Sequence, residues 1–250
     1  MDPRAVLQAA CDWARSDLRA TGVLAGGSLQ RGDGPAGGEF DLVVLCPVEP
    51  PRRFIRQRFE GVPVDVVPGT AAGLRRELDA EVSAGRPLMA HLLDTGELLF
   101  DDAQGTLAHL VALAKARLQR GPGFTPAVLR RNRQLAAGAV QDALDAFKAR
   151  SPEATRAVHR AVDALAAQCF FERGRFVPRV RQQLSQLREL DPQAAQLLHE
   201  VLTLQGLDAG TKLRDAARRL LVAEAFFDWD ATVAALQAEQ AFVDTQPGGV

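Results

Sequence analysis

Small, hydroxyl-bearing and acidic residues follow one another closely near the amino terminus. Gly27-Ser28 comes directly after a short apolar run, and Glu39 and Asp41 lead into the next apolar run after ten intervening residues. A glycine lets the backbone approach a polyanion closely, and the amides at the start of a following helix would face that anion. We therefore expect Gly27 and Ser28 to bind phosphate, with Arg31 placed to reach a terminal phosphate.

Three carboxylates form a second candidate feature. Glu39 and Asp41 lie two positions apart on a predicted strand, so both side chains point to the same face. Asp65 stands inside the apolar run 62–67, where a carboxylate is tolerated only if it is paired or binds metal. Converging carboxylates repel one another unless a cation lies between them. We therefore predict a Mg²⁺ site at Glu39 and Asp41, which Asp65 joins if its strand lies beside theirs.

Short apolar runs bounded by Gly or Pro predict the strands that would hold these residues. The predicted strands span residues 23–25, 40–45 and 62–67, with 54–59 as a helical turn or an extra strand and 98–100 as an edge strand. Helical spacing of apolar residues over 3–20 predicts a helix in front of them.

The pattern changes to almost continuous helical spacing after about residue 105. Loop residues interrupt it at Gly121–Gly123 and at four later points, which predicts at least four helices between 125 and 240. The loops between them are short enough for antiparallel packing. The expected fold class is α+β, with a small mixed-sheet catalytic domain in residues 1–120 followed by an α-helical bundle in residues 121–250.

Composition limits the classes of partner. A net charge of −1 gives no global field for nucleic acid, which is not indicated as a partner, or for an anionic membrane. Three scattered cysteines do not form a disulfide framework or a zinc site. No apolar run is long enough for a transmembrane helix, and no signal-peptide pattern opens the chain. We expect a cytoplasmic protein.

The spacing Gly27-Ser28-x10-Glu39-x-Asp41 resembles the motif of the minimal nucleotidyltransferases, which belong to the DNA polymerase β superfamily. Asp65 falls where the third carboxylate of that superfamily is expected. The resemblance implies that an acceptor hydroxyl attacks the α-phosphate of a nucleoside triphosphate (NTP) and that pyrophosphate leaves. Glu39 and Asp41 would then hold the metal, and Asp65 would ligate it or accept the hydroxyl proton.

The helical half is similar to the C-terminal domain of aminoglycoside nucleotidyltransferases, which is related to the HEPN helical bundles. In that family a basic residue of the helical domain helps to hold the triphosphate. Arg181 matches its place best and Arg175 next, whereas a solvated helix face is the ordinary reading of the same arginines. The pattern Arg86-x4-His91 resembles a HEPN ribonuclease motif but lies before the helical half, so we reject it.

One residue departs from the family pattern. The first metal position is Asp in the family and Glu39 here, and the additional methylene shifts the carboxylate by about one bond length. Mg²⁺ requires near-ideal octahedral geometry, so this change would slow catalysis or favour Mn²⁺.

Three functions stay open at the level of sequence. The first is nucleotidyl transfer to a small hydroxyl acceptor, and the second is nucleotidylation of a partner protein. Modification of a tyrosine within the chain is excluded because the chain has no Tyr. The third is a nucleotide-binding module without turnover, which Glu39 favours. The acceptor, the preferred base and a homodimer that completes the site are not decided by the sequence.

Overall fold

The computed structural model describes residues 2–31 and 38–221, except for the side chains at positions 30, 31 and 207. The chain divides into two compact units, Met1–Pro122 and Gly123–Val250. Within the described residues, no helix is long and apolar enough to cross a membrane. The first unit contains a sheet and helices, and the described part of the second contains helices.

The first unit alternates helices with short strands. Its elements are α1 (Pro3–Asp17), β1 (Gly22–Gly27), α2 (Ser28–Arg31), β2 (Phe40–Leu45), β3 (Ile55–Phe59), β4 (Val62–Gly69), α3 (Ala71–Ser83), α4 (Leu88–Thr95), β5 (Glu97–Phe100) and α5 (Thr106–Arg120). Side chains of Asp2 and Thr70 cap α1 and α3 by accepting hydrogen bonds from backbone amides. The predicted strands are confirmed, and residues 55–59 form a strand rather than a helical turn.

One sheet contains all five strands, in the order β3-β4-β2-β1-β5. Strands β2 and β4 are parallel, whereas the β1–β2, β1–β5 and β3–β4 pairs are antiparallel. The parallel pair is possible because the chain leaves β2 through a loop and adds β3 at the edge before it returns as β4. The sheet is therefore mixed, and the predicted α+β class is confirmed.

Each face of the sheet has its own apolar core. On one face, Phe40, Leu42 and Val44 of β2 pack with Val64 and Val66 of β4 and with buried residues of α1. On the other face, Leu24 and Val43 pack with buried residues of α3, α4 and α5. Because side chains alternate along a strand, the odd-numbered positions of β2 and β4 face away from α1.

The described part of the second unit is a helical bundle. Its helices are α6 (Pro126–Lys148), α7 (Ala154–Glu172), α8 (Val180–Leu190), α9 (Pro192–Thr203) and α10 (Gly206–Leu220). Thr125 and Asp191 cap α6 and α9, and each cap is followed by Pro at the first helical position. Helix α7 lies deepest, with eleven buried residues from Ala157 to Phe171. The predicted set of at least four helices is confirmed within the described residues.

Candidate metal and phosphate site

The register of two parallel strands brings the predicted carboxylates together. Asp41 of β2 lies directly opposite Asp65 of β4. Both are odd-numbered positions, so both side chains leave the sheet on the face away from α1. Glu39 is the residue immediately before β2, and its side chain lies on the same side.

The three side chains form one cluster. Glu39, Asp41 and Asp65 each offer a carboxylate oxygen, and these oxygens all lie within 4.8 Å of one another. Asp65 is 8% exposed, and Glu39 and Asp41 are half-buried. Hard divalent cations such as Mg²⁺ and Mn²⁺ prefer oxygen donors of this kind. The donor set therefore fits a divalent cation, which Glu39, Asp41 and Asp65 can hold together.

An arginine that the sequence analysis missed also belongs to this cluster. In the β3–β4 hairpin, Arg56 lies directly opposite Asp65. Its Nε and Nη2 donate to the two oxygens of Asp65, each at 2.5 Å, and Nη2 also donates to Glu39 Oε2 at 3.0 Å. These contacts, above all the hydrogen bonds that Arg56 donates to Asp65, raise the pKa of Arg56. A positive charge therefore lies among the three carboxylates.

Arg56 could have been found from the sequence by strand alternation. Ile55 and Phe59 pack into the core on the α1 face, so Arg56 must point to the opposite face, where Asp65 lies. The turn at Glu60-Gly61 connects β3 to β4, and Gly61 has a positive φ of 80°. A helical turn at 54–59 would leave Arg56 without a defined partner strand. Because residues 55–59 form a strand, Arg56 pairs with Asp65.

Gly27 and Ser28 lie beside the cluster at the end of β1. Gly27 is opposite Phe40, and Gly26 is opposite Asp41. The φ angle of Gly27 is +97°, and a Cβ at this position would lie 2.6 Å from the Glu39 carbonyl oxygen and 2.8 Å from the Asp41 amide. Only glycine therefore allows β1 to turn into α2 so close to the backbone that bears the carboxylates. The helix that follows has four residues.

Ser28 is held near the same segment. A Cβ added at Gly38 would lie 2.8 Å from Ser28 Oγ, so the hydroxyl rests against the backbone just before Glu39. The Leu29 amide donates to the Glu39 carbonyl at 3.4 Å. The hydroxyl of Ser28 thus lies beside the backbone that leads into Glu39, and its role in phosphate binding stays a prediction.

The structure places the three arginines predicted to bind phosphate in different parts of the chain. The side chain of Arg31 lies outside the described residues. Arg175 lies in the loop before α8 and Arg181 lies in its first turn, and both are exposed. They belong to the second unit, whereas the carboxylates belong to the first. Their role at the phosphate site stays a prediction.

A cavity of about 300 Å³ lies elsewhere in the first unit. It is lined by charged residues that include Glu49, Arg53, Arg76 and Glu77, together with Gly69 at the end of β4. Gly69 pairs with Leu45 at the end of the β2–β4 ladder, four residues beyond Asp65. The cavity is therefore separate from the carboxylate cluster.

Comparison with known proteins bears on the fold of the chain. No protein-family model matches the chain, and no curated protein matches it. The solved structure of a nucleotidyltransferase-like protein from Exiguobacterium sibiricum 255-15 is similar, with a TM-score of 0.53 and 18% sequence identity. The match covers 98% of this chain and 81% of that one. At this identity the likeness shows the fold, and the chain thus has a nucleotidyltransferase fold.

Replacing Gly27 by Ala tests the tight turn beside the site. The new Cβ would combine a strained positive φ with collisions against backbone atoms of residues 39 and 41. We expect Gly27→Ala to lower the free energy of unfolding by more than about 2 kcal/mol in urea titrations followed by circular dichroism. Gly61→Ala is the matched control, since its φ is +80° but no described atom lies within 4 Å of the added Cβ. Gly61→Ala should lower the free energy of unfolding by about 1 kcal/mol. Equal losses of stability in the two variants would contradict the role given to the Gly27 turn.

Proposed function

We propose that this protein transfers a nucleoside monophosphate from an NTP to a hydroxyl acceptor and releases pyrophosphate. The observation that carries the proposal is the convergence of Glu39, Asp41 and Asp65 on one face of the sheet, within 4.8 Å of one another. Gly27 and Ser28 adjoin them through the β1–β2 pairing. A nucleotidyltransferase fold holds this arrangement, so a phosphate-and-metal reaction is the function that it supports best.

Each side chain has a task that suits its position. Gly27 lets β1 turn into α2 beside the carboxylates, and the Ser28 hydroxyl can donate a hydrogen bond to a phosphate oxygen. Glu39 and Asp41 would hold Mg²⁺ or Mn²⁺, which when bound supplies positive charge to the triphosphate. Asp65 would act as a third ligand or accept the proton of the acceptor hydroxyl. The new bond joins the acceptor oxygen to the α-phosphorus as the bond to the departing pyrophosphate breaks.

A small molecule with hydroxyl groups is the proposed acceptor. The resemblance of the helical half to aminoglycoside nucleotidyltransferases supports this choice. The assay is pyrophosphate release with each of the four common NTPs, in Mg²⁺ or Mn²⁺, against pools of polyols and aminoglycosides. Label transferred from NTP to protein in a lysate would instead support nucleotidylation of a partner. Intact NTP binding without either product would support a binding module and contradict transfer.

Asp41→Asn tests the carboxylate site itself. The variant keeps the size of the side chain but removes one negative charge from the cluster. We expect pyrophosphate release to fall by at least about 100-fold, because a group that holds the charge of the transition state is lost. Asp12→Asn, on the exposed surface of α1, is the control and should be unchanged. Metal-dependent NTP binding that survives both Asp41→Asn and Glu39→Ala would exclude the proposed metal site.

Glu39→Asp tests whether the longer carboxylate limits the reaction. Shortening the side chain by one methylene restores the residue that the resemblance implies at this position. We expect the ratio of the rate in Mg²⁺ to the rate in Mn²⁺ to increase by at least about threefold, because Mg²⁺ is the stricter ion in its geometry. Pyrophosphate release in the two ions measures the ratio. An unchanged ratio would show that Glu39 does not determine the choice of ion.

Arg181 in the first place, and Arg175 in the second, are proposed to bind the triphosphate. Both side chains are exposed cations, and a guanidinium binds phosphate oxygens through two hydrogen bonds. We expect Arg181→Gln to weaken NTP binding by about tenfold in a calorimetric titration. Arg188→Gln, an exposed arginine of the same helix, should change the affinity by less than about twofold. Equal effects of the two substitutions would contradict the proposal.

A further inference from the structure

We propose that Arg56 is a built-in counter-ion that competes with the divalent cation for Asp65 and Glu39. The inference rests on the proposed function, because it concerns the same carboxylates. It adds a specific regulation: the ion must displace part of the arginine contact, so the free protein binds divalent cations weakly. Binding of the ion to the cluster is then more favourable when an NTP binds together with it.

The contacts show that arginine and metal would use the same atoms. Nε and Nη2 of Arg56 donate to Oδ1 and Oδ2 of Asp65, so the guanidinium engages both oxygens of the most buried carboxylate of the cluster. Nη2 reaches Glu39 as well. Two of the three candidate ligands thus already share one cation. A divalent ion that takes Asp65 and Glu39 as ligands must compete with these hydrogen bonds.

Exposure identifies which partner can move. The side chain of Asp65 is 11% exposed, and its position is fixed by β2 and β3 on either side. The side chain of Arg56 is 59% exposed and belongs to the edge strand β3. Arg56 can therefore turn toward solvent without opening the apolar core, whereas Asp65 cannot. The guanidinium of Arg56 is therefore the group that moves when an ion binds.

Charge explains why an NTP would favour this exchange. Among the described residues, the ion-free cluster brings the guanidinium of Arg56 to three carboxylates, and a divalent cation added to it lies close to that positive charge. The triphosphate adds negative charge that offsets this repulsion. Because binding free energies are reciprocal, an NTP that tightens ion binding is itself bound more tightly when the ion is present.

The test measures ion binding in the full-length protein without nucleotide. Electron paramagnetic resonance of free Mn²⁺ gives the Kd directly, with no need for turnover. We expect Arg56→Gln to bind Mn²⁺ about tenfold more tightly than the natural protein, because a neighbouring positive charge has been removed. Addition of a non-hydrolysable ATP analogue should then tighten Mn²⁺ binding less in this variant than in the natural protein.

Arg58→Gln is the matched control. Arg58 lies on the same strand and, by alternation, on the same face as Arg56, but its Nη1 donates to the Gly61 carbonyl at 2.9 Å. The two substitutions remove the same charge, so Arg58→Gln reports any general electrostatic effect and should change the Kd by less than about twofold.

If Arg56→Gln does not fold without ions, Arg56→Lys replaces it. Lysine keeps the charge but lacks the planar fork that spans two carboxylates, so Mn²⁺ should again bind more tightly than in the natural protein.

The outcomes separate this inference from the proposed function. The metal site is supported if the natural protein binds Mn²⁺ and Asp41→Asn abolishes this binding. If Arg56→Gln or Arg56→Lys then binds Mn²⁺ no more tightly than the natural protein, the counter-ion role of Arg56 is wrong. An equal gain in Arg58→Gln also contradicts the role of Arg56. Absence of Mn²⁺ binding in every variant, with and without the ATP analogue, would overturn both.

Discussion

The repulsion between three neighbouring carboxylates is the constraint on which the first unit depends. Two unit charges about 4 Å apart interact by about 1 kcal/mol in water and by about 4 kcal/mol at an effective dielectric of 20. The parallel pairing of β2 and β4 enforces the proximity of Asp41 and Asp65. A nearby cation therefore stabilises the folded cluster. In this structure Arg56 supplies one positive charge, and a divalent ion can supply two.

Strand alternation places the apolar core and the polar site by the same rule. Phe40 and Leu42 pack against α1, so Asp41 between them must point to the other face. The same alternation directs Val64 and Val66 into the core and Asp65 toward Asp41. A shift of the register by one residue would expose the core and disperse the carboxylates together. Stability and site geometry thus rest on one set of backbone hydrogen bonds.

The longer side chain at position 39 and the arginine at position 56 belong to one arrangement. Glu39 precedes β2, and its carboxylate still reaches both the aspartates and Nη2 of Arg56. Glutamate is one methylene longer than aspartate, and Mg²⁺ requires near-ideal octahedral geometry. In the fold Glu39 also gives Arg56 a second acceptor beside Asp65.

The sequence alone determined the residue types and four of the five strands, because these follow from local spacing. Spacing placed Glu39 and Asp41 on one face and made the approach of Asp65 depend on whether its strand is their neighbour. Only the tertiary structure decided that β2 and β4 are neighbours and that residues 55–59 form a strand, which sets Arg56 opposite Asp65. The pairing of β2 with β4 joins segments that are distant in the sequence, which no local pattern encodes.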